Sequence, residues 1–165
     1  MIKRLIPVLI AVVLAGVTLT GCGTVKTAAE KEQKALRLKE KVESSHFTFV
    51  AQSVNPMSFR TIQLTSYYDL KITKDTIRVY LPYFGRAYTA PMDPTQGGFN
   101  FMSTDFDYKM VNGKKPGNWQ VTIKTHDPLH SITFYLDIWD SGMATLTIND
   151  PDRQTISFNG AIKEE

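Results

Sequence analysis

Cysteine is almost absent from this sequence: Cys22 is the only one in 165 residues. No intramolecular disulfide can form, and no metal site built on several cysteines exists. An excess of one charge is lacking too. The chain carries 19 Lys and Arg against 16 Asp and Glu, and Lys3 and Arg4 are two of the basic residues. Past them the balance is 17 to 16, which gives no electrostatic reason to expect nucleic acid as a partner. There are no internal repeats and no low-complexity stretches. Signatures of catalysis are missing as well. No Gly-x-Ser-x-Gly elbow, phosphate-binding loop or dinucleotide fingerprint occurs. The reading is therefore of a chain that is not an enzyme and needs no cofactor.

What is present begins with an address. Lys3 and Arg4 precede an apolar run from Leu5 to Val17, broken only by Pro7 and Gly16. The run falls short of the roughly 20 apolar residues a membrane span needs. It fits the middle of an export signal. Leu19-Thr20-Gly21-Cys22 follows and resembles the lipobox of bacterial lipoproteins. There a small residue precedes the cut and a thiol follows it, ready to be acylated. Residues 1–21 are thus expected to be a signal peptide, with Cys22 the lipidated first residue of the mature protein and 22–26 a tether. Several acyl chains make a lasting anchor. The expected location is the cell envelope, lipid-anchored at the outer membrane, with the membrane as a partner through that lipid.

Residues 27–45 read as one helix. Thr27-Ala28-Ala29-Glu30 forms a capping box, in which the Thr oxygen and the Glu carboxylate satisfy free amides of the first turn. The apolar stripe is thin: Ala28, Ala35, Leu38 and Val42, with Leu36 beside it. Such a helix either packs lightly on the domain or stands as a stalk. From His46 the hydrophobic period changes to two. Phe47 and Phe49; Ile62 to Ile72; Ile77, Val79 and Leu81; Phe99 and Phe101; and Phe106, Tyr108 and Met110 all alternate with polar residues. So do Trp119 to Ile123, Ile132 to Ile138, Ala144 to Ile148, and Ile156 to Ile162. Asn112-Gly113, Pro116-Gly117 and Asp140-Ser141-Gly142 mark the turns. Eight or nine short strands with one apolar face each predict an all-β antiparallel meander over 46–165. Such a sheet curls into a closed or half-closed barrel, or folds as a sandwich, to cover that face.

The segment Pro82 to Gly98 has no strand pattern and exceeds the usual hairpin length, a mark of functional loops. That segment and the strand before it carry Leu81-Pro82-Tyr83-Phe84-Gly85-Arg86-Ala87-Tyr88, which resembles the hallmark of lipoproteins of the domain-of-unknown-function family 4251, typical of Bacteroidetes-type bacteria. Gly97-Gly98-Phe99, Trp119, Gly142 and Arg153 to Gly160 add to the likeness, which spans roughly Phe47 to Ile162. The resemblance implies an exported β-domain. It implies no activity.

Two clusters are candidates for recognition. Tyr83, Phe84, Arg86 and Tyr88 could stack on a sugar or hold an anionic group. They could instead plug one end of the barrel, with Gly85 supplying a permissive backbone. The plug is the expected role, with Arg86 buried on loop carbonyls. Tyr67, Tyr80, Tyr135 and Trp139, joined by Met143, fall out of phase with the core and face outward. The helix or the long loop is expected to cover them; otherwise they form a groove or a protein-docking patch. His126-Asp127-Pro128-Leu129-His130 sets two imidazoles four apart beside a carboxylate, as metal ligands can be spaced, but Asp-Pro favours a turn and no nearby Cys, Glu or third His completes a set. No metal is expected. The reading is of a non-catalytic binding or structural module whose protein or small-molecule partner the residues do not name. Alternatives are a carrier of a hydrophobic or glycan ligand and, less supported, a hydrolase.

Overall fold

The computed structural model describes residues 27–88, 97–126 and 131–163. The signal, Cys22 and the tether lie outside these residues. Helix α1 (Ala28–Glu43) starts at the expected capping box, with Thr27 and Glu30 exchanging side-chain bonds at 3.0 and 3.4 Å. It ends without a glycine. Ser45 takes the left-handed conformation (φ 54°), so that its N–H reaches Val42 O and the His46 N–H reaches Lys41 O. Ala28 to Gln33 are exposed, whereas Leu38 and Val42 are buried. The helix thus packs through its last turns, where Tyr108 Oη donates to Val42 O at 2.5 Å. Among the described residues no helix is long and apolar enough to cross a membrane.

Nine strands follow, all pairing antiparallel: β1 (Phe47–Pro56), β2 (Ile62–Ile72), β3 (Ile77–Leu81), β4 (Phe99–Ser103), β5 (Phe106–Asn112), β6 (Asn118–Thr125), β7 (Thr133–Trp139), β8 (Met143–Asn149) and β9 (Ile156–Ile162). Their order in one sheet is β4-β3-β2-β1-β9-β8-β7-β6-β5. β1 is the seam, paired with β2 on one side and β9 on the other. The two outermost strands, β4 and β5, are consecutive in the chain and separated only by Thr104 and Asp105. Following the antiparallel pairs round the sheet, β4 and β5 point the same way. They act as one bent strand whose first half pairs with β3 and whose second half pairs with β6. The result is a nearly closed barrel.

Alternate residues of every strand face the axis. Phe49, Phe134 and Phe158 are fully buried there, packed among Leu70, Ile123 and Leu146. Gly160 lies where β9 crosses Phe49 and Val50, and a Cβ at that point would collide with the Phe49 ring and the Val50 carbonyl. The register of β1 shifts between Ala51 and Ser53 against both neighbours. This bulge carries the strand on to Pro56, beyond its readable alternation. The upper part of β2 is only half covered at Ile62, Leu64 and Tyr68, because β3 pairs with β2 only from Asp69 to Ile72. The helix meets the barrel where β1 begins. The β1–β2, β3–β4 and β8–β9 connections leave from the other end, where Pro56 pairs with Ile156 and Leu81 with Phe99.

Candidate functional site

Two loops meet at that far end. Residues 82–88 leave β3, and residues 150–155 join β8 to β9. Ala87 bridges to Arg153, the Tyr88 N–H donates to Asp152 O at 2.7 Å, and the Gln154 N–H donates to Arg86 O at 3.0 Å. Tyr83 folds back under this junction. Its hydroxyl lies 2.8 Å from Arg86 O and 3.0 Å from Gln154 O, bonding backbone of both loops. Burial pushes this phenol above its ordinary range. The Tyr83 ring packs edge-on against Phe99 at 5.6 Å between centres.

The Arg153 guanidinium lies over both rings, 5.2 Å from the centre of Tyr83 and 5.1 Å from that of Phe99. Its Nη1 donates to Gly98 O at 3.4 Å and its Nε lies 3.6 Å from Asp150 Oδ2. Asp150 in turn accepts the Asp152 N–H at 2.9 Å, which shapes the loop. Stretches far apart in the sequence, Leu81 to Tyr88, Gly97 to Phe99 and the start of Arg153 to Gly160, thus converge on one closure.

Of the expected plug of Tyr83, Phe84 and Tyr88, only Tyr83 folds inward, and the arginine over it is Arg153, not Arg86. Arg86 is exposed, and among the described residues only its backbone carbonyl takes part. The side chain that clamps the rings is Arg153, which sequence reasoning placed in the family-like stretch without a role. Its signal was position: it follows the Asn149-Asp150-Pro151-Asp152 turn, which aims it back over the barrel mouth. Gly85 also has a different reason from the expected one. Its backbone is not in the left-handed region, and a Cβ there would lie 2.6 Å from the Tyr83 hydroxyl. Glycine leaves room for the folded-back ring. Gly98 is as constrained, with a Cβ falling 2.5 Å from Leu81 O. Phe84 and Tyr88 remain exposed, Tyr88 to 69%. The loop therefore has an inner face that seals the barrel and an outer face carrying Phe84, Arg86 and Tyr88. Residues 89–96 of the same loop lie outside the described residues.

The outward aromatics are not united, and all but Trp139 are exposed. Tyr67, Tyr80 and Tyr135 are 55, 46 and 47% exposed, and Met143 is exposed beside them in kind. The helix is committed to the core through Leu38 and Val42, so it does not reach over them. Tyr67 and Tyr80 stand on β2 and β3, while Tyr135 and Trp139 stand on β7, with β1, β9 and β8 between. Alternation placed them all outside, but the strand order sets them on different walls. Trp139 is half-buried under the Lys115 ammonium, 5.8 Å from the ring centre. Asp69 is buried on the outer side of β2 and bonds Arg78 at 2.6 Å. Of the two imidazoles, His126 pairs with Asp107 through Nε2 at 2.8 Å, and His130 lies outside the described residues. Among the described residues no three potential metal ligands gather.

The sequence model for a domain of unknown function, DUF4251, matches residues 29–162, from the first turn of α1 to the end of β9. No functionally curated protein matches. Among solved structures, the chain is similar to a DUF4251 family protein from Bacteroides eggerthii DSM 20697, at 19% identity with a TM-score of 0.57. The similarity covers 80% of this chain and 86% of that one. At that identity it shows a shared fold.

Proposed function

The chain belongs to the DUF4251 family, and from that premise we propose that it is a lipoprotein of the bacterial cell envelope, anchored at the outer membrane through Cys22 and working as a non-catalytic binding or structural module. The anchor rests on the basic start, the short apolar run and Leu19-Thr20-Gly21-Cys22. The module reading rests on one observation above all: the barrel axis is occupied by the protein's own side chains, with Phe49, Phe134 and Phe158 fully buried on it. A carrier needs an interior of several hundred cubic ångströms, on the order of 300 or more. Tyr83, Phe99 and Arg153 also close the loop end. Recognition then belongs to the outer surface, and the exposed side of the loop with Phe84, Arg86 and Tyr88 supplies mixed aromatic and cationic chemistry for it.

The test is Cys22→Ser in the native host. The wild-type chain should fractionate with the outer membrane at a mass raised by acyl chains, and the variant should be released or left unprocessed. A variant that stays in that fraction at unchanged mass sinks the anchor. Native mass spectrometry of the protein from its own host tests the module: a small molecule retained in stoichiometric amount would favour the carrier instead.

A further inference from the structure

Among the described residues, strand β5 pairs along only one of its two edges. The Gly113 N–H donates to Asn118 O at 2.9 Å and the His126 N–H donates to Asp105 O at 3.0 Å, one bond at each end of the β5–β6 ladder. Antiparallel partners alternate between pairs that exchange both backbone bonds and pairs that exchange none. The two end bonds therefore assign the backbone groups of Asp107, Lys109 and Val111 to β6. Those of Phe106, Tyr108 and Met110 point the other way, and among the described residues no strand pairs with that edge. A row of unpaired N–H and C=O groups is a template for another strand. The inner side chains of Phe106, Tyr108 and Met110 are only half-buried, so the barrel leaves apolar surface beside the same edge. On the outer side Asp107 and Lys109 are exposed.

We propose that two copies of this chain associate through β5, paired antiparallel about a two-fold axis at Tyr108. The partner is a second copy because the strand is complementary to itself in one register and no other. The free backbone groups of Phe106, Tyr108 and Met110 can pair with the axis at one of these residues or between two of them, but an axis at Asp107 or at Lys109 sets that charge against its own copy. Centring on Phe106 sets Asp107 against Asp105, a pair of like charges. Centring on Met110 sets Lys109 against Val111 and gains no charge pair. Centring on Tyr108 sets Asp107 of each copy against Lys109 of the other, twice, in the closer pairs that exchange no backbone bonds. In that register Phe106 of each copy lies beside the other's Met110 on the inner face, which covers the half-exposed apolar stripe. The contact is isologous and closes at two copies. Asp107 already holds His126 at 2.8 Å, and a carboxylate accepts several donors at once.

The test keeps the full chain. Two differently tagged copies are co-expressed and extracted in non-ionic detergent at low salt, and recovery of one through the other's tag is measured. Wild type should recover wild type. Asp107→Lys with itself, or Lys109→Asp with itself, faces like charges twice and should lose about tenfold or more of the recovery. Asp107→Lys mixed with Lys109→Asp restores both pairs and should recover the wild-type level. Because the rescue uses the same two variants, misfolding cannot mimic it, and a thermal melt of each variant alone checks the fold. Equal recovery in every combination overturns the proposal. So does failure of wild type to recover wild type, including the case where a foreign chain occupies the edge.

Discussion

The guanidinium carbon of Arg153 sits 5.2 Å above the centre of the Tyr83 ring, although the first residue belongs to the β8–β9 loop and the second to the loop after β3. Phe99 completes the arrangement at 5.1 Å, so one cation covers two rings at the mouth of the barrel. The side chains of Arg153 and Asp150 are only 18 and 12% exposed, so their attraction is less screened than that of a surface pair. This closure separates the aromatic loop into a sealing face and a free face, and it decides which arginine matters to stability.

Arg153→Ala should cost about 1–3 kcal/mol, from two cation–ring contacts, one partly buried ion pair and the bond to Gly98 O. Arg86→Ala should change stability by less than about 0.5 kcal/mol, the range of an ordinary surface site. Chemical denaturation of the two variants side by side measures both. If Arg86→Ala were the costlier change, the assignment of the clamp would be wrong.

Alkaline pH should weaken the fold through two partly buried phenols. Burial raises both Tyr108 and Tyr83 above the ordinary tyrosine value of 10.0. The fold holds the neutral form, whereas the unfolded chain ionises near that ordinary value. Their contribution is therefore complete below about pH 10 and is lost as pH rises from there toward the folded-state pKa. Tyr108→Phe should lose about 0.5–1.5 kcal/mol at neutral pH, because its bond to Val42 O disappears. It should also fall less steeply than wild type above about pH 10. Denaturation midpoints collected on both sides of that pH test the slope; parallel curves would show that Tyr108 does not contribute.

The helix should matter through two side chains only. Val42→Ala removes a fully buried group in the core cluster and should cost about 1–2 kcal/mol. Leu36→Ala, at a position 56% exposed, should stay within about 0.5 kcal/mol of wild type. Thermal melts of the pair distinguish a helix that is part of the core from a stalk, for which neither change would register.

Much of this molecule is local, and local features were readable. A strand shows its period of two because successive side chains point to opposite faces, and each of the nine strands carries that signal. Thr27 and Glu30 announce the helix start because their bonds close within one turn. The helix end was less visible, since Ser45 rather than glycine takes the left-handed position. Of the candidate loop, the sealing role was legible in Tyr83, whose aromatic bulk has to be covered somewhere. The identity of its partner was not.

What the residues alone determined was the type of each element, the face each side chain takes and the single thiol at Cys22. Each of these depends on neighbours within a few positions. The tertiary structure alone decided the rest. Whether Phe99–Ser103 and Phe106–Asn112 are two strands or one bent strand depends on β3 and β6, which lie elsewhere in the chain. Whether Tyr67 and Tyr135 form one patch depends on how many strands come between them. Whether Arg86 or Arg153 is covered depends on which loop folds over which. Alternation records which side of the sheet a residue faces, but it carries no record of which strand or loop lies next to it.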